Sequence, residues 1–379
     1  MSDRPIVCCV GPCAALSLLA AACGGESSAP SDAGPGDRGA DAEPALEPGT
    51  DGGSGVDGGA EDPNGIDAAP ESVSWAGASC DDPAPSGAAL PPAPRAYTGG
   101  SCPVLLPGAN TIATVTGDRQ FLLVVPRDLA EGEALPLTFL WHWLGASAQD
   151  FLEKGAVQEA ADQQRFLAAI PESKGDTQFK WPYSTMDSDE RMEEEFVLFD
   201  DILACVAEQY AVNTSCVSSV GVSAGALFTA QLAGGRGEYL SSILVLSGGT
   251  GGALIKDYRT PAHKMPAMVL WGGPDDNCFG LMNFVATSGD LEAGLREDGH
   301  FILECIHNCG HAEPPMETES STTKYQSLWD FVLQHPYWLA DGASPWIEDG
   351  VPESIPTWCA IGAGNATPRE GECTSESGC

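Results

Sequence analysis

The chain has 379 residues, of which 54 are Asp or Glu and 17 are Lys or Arg, for a formal net charge of -37. So acidic a surface is repelled by phosphate backbones and by anionic membranes, which argues against nucleic acid and lipid headgroups as partners held by charge. The length suits one large α/β domain with appendages, and 14 widely scattered cysteines fit an oxidising compartment better than a compact metal knuckle.

Residues 6–22 form a short apolar run ending in Leu18-Leu19-Ala20-Ala21-Ala22, directly before Cys23. It is too short to span a bilayer as a helix and reads as an export signal. Small residues ahead of a cysteine resemble a bacterial lipoprotein processing site, so Cys23 is the expected lipidation position, with plain secretion or an uncleaved anchor as alternatives. After this leader, residues 1–23, the stretch 24–95 is Gly, Ala, Pro, Asp, Glu and Ser with few aromatic or β-branched residues. It cannot bury enough apolar surface to offset chain entropy and is expected to be a disordered acidic linker. The catalytic domain is expected over 96–340, with a Cys-, Pro- and Gly-bearing extension over 341–379.

Within the domain, residues 111–115 and 120–125 predict a hairpin. Residues 135–142 are a nearly continuous apolar run, as in a strand covered on both faces. A helix is predicted over 157–164, a strand over 166–170 and a long amphipathic helix over 193–210. Between them, Phe179 to Tyr183 reads as a loop at the mouth of a site. Trp181 and Tyr183, with Trp271, are candidate substrate contacts, and ordinary packing is the other reading. Cys205 and Cys216 are near enough in sequence to be bridged.

Residues 217–220 read as a buried strand and 226–233 as a helix, and Gly221-Val222-Ser223-Ala224-Gly225 joins them. Strand, tight turn and helix give the G-x-S-x-G pattern its meaning: the serine sits in a strained bend with its hydroxyl above the sheet. Further strands are predicted over 241–246, 267–271 and 301–306. The carboxyl end of the second opens into Gly272-Gly273-Pro274-Asp275-Asp276, where strand ends of open α/β sheets carry functional groups. Asp275 is the expected acid and Asp276 the fallback. The last strand leads to His307-Asn308-Cys309-Gly310-His311, and His311, on a loop after a glycine, is the expected base, with His307 as the alternative. Cys305, His307, Cys309 and His311 alternate, but they lack the paired spacing of a zinc site, so no metal is expected. The oxyanion donors are expected to be the backbone N–H groups of Ala224 and Trp143, with Leu144 as the neighbouring candidate. His142 is expected to be structural. A closing helix is predicted over 323–334, and Cys359, Cys373 and Cys379 are expected in disulfides.

The lead-in Tyr210-Ala211-Val212-Asn213, the serine motif, Ser247-Gly248-Gly249, Trp271-Gly272-Gly273-Pro274-Asp275 and Gly310-His311 followed by prolines resemble the secreted polyhydroxybutyrate depolymerase and feruloyl esterase family of α/β hydrolases. The likeness spans roughly residues 98–337. It implies an α/β-hydrolase fold, a mostly parallel sheet with helices on both faces, and a carboxylic ester hydrolase with Ser223 as nucleophile, Asp275 as acid and His311 as base. The family usually has His-Gly where this chain has His142-Trp143. The expected substrates are feruloyl or acetyl polysaccharide esters, hydroxyalkanoate oligomers or small esters, handled without a cofactor by an extracytoplasmic monomer. A serine peptidase of prolyl-oligopeptidase type and a surface binding protein on a hydrolase scaffold are the competing readings.

Overall fold

A computed structural model describes residues 74–373. The expected export signal and lipidation at Cys23 lie outside the described residues, as do Cys379 and most of the expected linker.

The chain opens with the antiparallel hairpin β1 (Gly108–Thr114) and β2 (Gly117–Val124), whose register closes on the pair Thr114 and Gly117. Then come β3 (Leu135–Trp141), α1 (Ala148–Lys154), α2 (Val157–Gln164), β4 (Leu167–Pro171) and α3 (Asp189–Gln209). Ser147 caps α1 in a reciprocal box with Asp150, and Ser188 caps α3. Next are β5 (Val212–Val222), α4 (Ala224–Arg236), β6 (Ser242–Leu246) and β7 (Ala267–Trp271). Two short paired strands, β8 (Asn277–Cys278) and β9 (Met282–Asn283), lead into α5 (Phe284–Asp298). The chain then forms β10 (Ile302–Ile306), α6 (Gln326–Leu333), α7 (Pro345–Asp349) and β11 (Cys359–Ile361).

Nine strands make one sheet in the order β1-β2-β4-β3-β5-β6-β7-β10-β11. It is parallel from β4 to β10 and antiparallel at both margins. Because β3, β6 and β7 are buried at every position, their side chains alternate between two separate cores. Phe139, Trp141, Val245 and Trp271 meet α3, α4 and α5 on one face. Leu140, Leu244, Leu246 and Leu270 meet α1, α2 and α6 on the other. Each fully buried large apolar side chain contributes about 1.5–3 kcal/mol, so a sheet covered twice needs no metal to fold. No described helix is long and apolar enough to cross a membrane.

Folded structure begins before residue 96, which corrects the expected linker boundary. Cys80 is disulfide-bonded to Cys216, its N–H donates to the Leu333 carbonyl at 2.8 Å, and Trp75 packs on Trp338. The segment is polar, and these few anchors hold it where composition alone does not. The expected Cys205–Cys216 bridge is likewise replaced: Cys205 joins Cys102 and Cys216 joins Cys80. Residues 341–373 also belong to the domain, because β11 pairs with β10 and Cys359 and Cys373 are tied to Cys305 and Cys309.

One buried carboxyl pair makes stability pH-dependent. Glu292 on α5 faces Glu304 on β10, both almost fully buried, and Glu304 also accepts the Ala366 N–H at 2.7 Å. Burial first, then the charge of Glu304, pushes the Glu292 carboxyl up to about 8. The folded chain therefore keeps a proton that the unfolded chain releases above the ordinary glutamate range, so stability falls as pH rises from there to about 8. Glu292→Gln is expected to flatten that decline. Urea midpoints at pH 6 and pH 9 check it: the wild type loses more between the two than the variant does.

Candidate active site

The serine is held by its neighbours' lack of side chains. Ser223 has φ +53° and ψ -117°, a conformation costly for any residue but glycine, and its N–H donates to the Leu246 carbonyl at 2.8 Å. A Cβ on Gly221 would lie 2.1 Å from the Gly225 carbonyl oxygen, and one on Gly225 would lie 1.9 Å from the Trp141 carbonyl oxygen. Both glycines are therefore required for α4 to start so close above β3 and β5.

His311 arrives on the turn after β10. Gly310 adopts φ +64°, its N–H donates to the Gly272 carbonyl at 3.0 Å, and a Cβ on Gly272 would strike the Gly310 oxygen at 1.9 Å. The turns after β7 and β10 thus interlock, which fixes the histidine relative to the acid. Its ring lies flat on Phe284 at 4.4 Å between centroids. Nε2 is 2.9 Å from the Ser223 hydroxyl oxygen, and Nδ1 is 2.7 Å from Asp276 Oδ1. A carboxylate on Nδ1 assigns the proton there and leaves Nε2 as the acceptor for the serine hydroxyl.

The acid on the histidine is Asp276, a correction to the expectation of Asp275. Residues 273–275 form a single tight helical turn that leaves Asp275 exposed and rotates the fully buried Asp276 inward. Its second oxygen accepts from the Ser247 hydroxyl and the Gly272 N–H, each at 2.7 Å. Ser247, itself at φ +52° and noted in the sequence only as part of the Ser247-Gly248-Gly249 likeness, supports the acid, and Phe284, which no sequence pattern singles out, supports the ring. His307 is not at the serine: it packs edge-on to Trp358, accepts the Cys309 N–H at 3.2 Å, and is pushed down to about 4 by burial. Cys305 and Cys309 are joined to other cysteines, so the alternating run does not form a ligand set.

A cavity of about 580 Å³ opens over Ser223 and His311. Its walls are the side of the sheet that carries Val222, Leu246 and Leu270, closed by Trp143, Phe151 and Trp329. Trp181, Tyr183 and Trp271, the expected substrate contacts, are absent from this wall because they belong to the core on the opposite face of the sheet. Trp181 is fully buried, donates its Nε1–H to the His142 carbonyl at 2.8 Å and stacks with Phe228. His142 is buried at the end of β3, its Nδ1 3.0 Å from the Trp143 carbonyl, and burial lowers its pKa. Trp143 follows it and turns its ring into the cavity, 6.0 Å from the Phe151 ring. Ala224 opens α4, where the first-turn N–H groups have no intrahelical acceptor.

The sheet order, the strained serine between β5 and α4, and the hydrogen-bonded Ser-His-Asp line define an α/β-hydrolase fold with the side-chain set of a serine hydrolase. Solved structures share that fold. Native pOPH superposes with a TM-score of 0.54 at 16% identity, covering 69% of this chain and 97% of that one. Native sOPH gives 0.53 at 16%, covering 70% and 99%. A serine-to-alanine variant of pOPH in complex with pNPB gives 0.52 at 14%, covering 69% and 96%. No family model matches the chain, and no curated protein matches it by sequence.

Proposed function

We propose that the protein is a serine carboxylic ester hydrolase that works through a covalent acyl-enzyme. The observation that carries this reading is the unbroken pair of hydrogen bonds from the strained serine through His311 to the buried Asp276, 2.9 and 2.7 Å long. In the reaction, His311 Nε2 takes the Ser223 proton as the serine oxygen attacks the ester carbonyl, and Asp276 holds the imidazolium that forms. The backbone N–H groups of Ala224 and Trp143 are the proposed donors to the oxyanion. Collapse breaks the bond to the alcohol, which leaves with the proton from Nε2 and acylated Ser223 behind. Water attacks the acyl carbonyl, gives a proton to the same nitrogen, and the acid departs as Ser223 is reprotonated.

The cavity supports an ester with an apolar or aromatic portion, whether a feruloyl or hydroxyalkanoate unit or a small ester, since aromatic walls favour rings and alkyl chains. The four described disulfides, with Cys278 also disulfide-bonded, support extracytoplasmic action. The test compares p-nitrophenyl acyl esters with peptide p-nitroanilides of matched size. Ester hydrolysis with negligible anilide hydrolysis is the expected result; the reverse ranking replaces the esterase with a peptidase, and activity on neither leaves a binding protein.

A further inference from the structure

Six lysines serve this very acidic chain, and one of them is placed at the mouth of the cavity. Lys174, Lys256, Lys264 and Lys324 each have a carboxylate within ion-pair distance. Among the described residues, Lys154 and Lys180 do not, and of these two Lys154 lines the cavity. Its ammonium sits 5.1 Å above the Trp143 ring, a contact that orients the side chain without neutralising it.

The bland role for a lysine in the last turn of a helix is to complement the carbonyl end. Here that work is done by another residue: Lys324 Nζ donates to the Lys154 carbonyl at 2.8 Å. Among the described residues, the one carboxylate on the cavity wall, Glu313, is answered elsewhere as well. Lys324 lies 2.7 Å from it, and the Tyr325 hydroxyl donates to the same oxygen. Although burial raises the Glu313 pKa, Lys324 and the Tyr325 hydroxyl, with a smaller contribution from the charge of Lys154, hold it below the ordinary glutamate range, and its ion-pair contact is with Lys324. Lys154 feels the charges of Glu313 and of Asp150 one turn earlier but is in ion-pair contact with neither, so its ammonium remains open to an anion on a molecule that otherwise repels them.

We infer that Lys154 forms an anion subsite and that the cavity prefers esters whose acid portion carries a second, carboxylate-bearing end. The apolar body of such a substrate lies against the aromatic walls, and its free carboxylate meets the ammonium over Trp143. This selectivity rests on the esterase reading, and the experiment separates the two.

Mono-(4-nitrophenyl) adipate and 4-nitrophenyl hexanoate present the same acyl length with and without the charge. The ratio of their kcat/KM values is the readout. Lys154→Gln is expected to lower the adipate-to-hexanoate ratio about fivefold, the scale of an exposed charge pair. Lys154→Glu lowers it further, Lys154→Arg retains it, and the remote Lys264→Gln leaves it at the wild-type value. Added salt at about 0.5 M narrows the wild-type ratio and not that of Lys154→Gln. Hexanoate turnover with the same ratio in wild type and Lys154→Gln overturns the subsite alone. Failure of the wild type to hydrolyse either ester overturns the esterase reading with it.

Discussion

Ser223→Ala is expected to lower kcat/KM for a p-nitrophenyl acyl ester by about 10⁴-fold or more. The change removes the atom that forms the acyl bond and the 2.9 Å contact with His311 Nε2. It leaves the backbone alone, since alanine meets the same strain at φ +53° that serine already bears. The fold should therefore persist, and an unchanged circular dichroism spectrum and melting midpoint separate lost chemistry from lost structure. What survives in the variant measures the cavity and the backbone N–H groups without a nucleophile. Retention of wild-type turnover would mean that the ester is cleaved elsewhere.

The second large effect distinguishes two adjacent aspartates. Asp276→Asn is expected to reduce kcat by roughly 10³–10⁴-fold, whereas Asp275→Asn stays near wild type. Asp276 accepts three donors: His311 through one oxygen, and Ser247 with Gly272 through the other. Asparagine has a single oxygen. If that oxygen faces Ser247 and Gly272, the amide NH₂ points at His311 Nδ1 and forces the proton onto Nε2, where it can no longer accept from serine. Asp275 is exposed and makes no such contact; its carbonyl merely accepts from Asn277 at 3.0 Å. Parallel assays of both variants with one ester check the assignment, and a larger loss in Asp275→Asn would reverse it. Because the serine, histidine and acid act as a unit, Ser223→Ala combined with Asp276→Asn should be little worse than Ser223→Ala alone.

Those two aspartates also show where sequence ceases to inform. The strands β3, β6, β7 and β10 are legible because a sheet covered on both faces writes near-continuous apolar runs, and α2 falls on residues 157–164 as its spacing predicts. The order of serine, aspartate region and histidine follows from strand ends. Which of two consecutive acids turns inward depends instead on one helical turn over 273–275, and no periodicity extends across three residues.

Direction, not identity, likewise separates Trp271 from Leu270: neighbours on one strand face opposite cores, and the cavity lies on the side of Leu270. Trp181 and Tyr183 resemble a surface platform by composition yet are inner struts, because the loop that bears them folds beneath the end of β3. The helix α5 is not legible, since Gly289 and Gly294 weaken its pattern. Gly294 is there because a Cβ would lie 2.4 Å from the Tyr258 ring. The disulfides were obscured for a different reason. Cys80 lies in a stretch whose composition reads as linker, so its partner Cys216 is free, on sequence alone, to be matched with Cys205.

The most direct measurement is reaction with an alkyl fluorophosphonate followed by peptide mass spectrometry, because only a serine with an adjacent proton acceptor attacks phosphorus rapidly. A working Ser223-His311-Asp276 line predicts a single adduct on Ser223, absent in Ser223→Ala, slowed in Asp276→Asn and undiminished in Asp275→Asn. No adduct, or one on a different serine that survives Ser223→Ala, would contradict it.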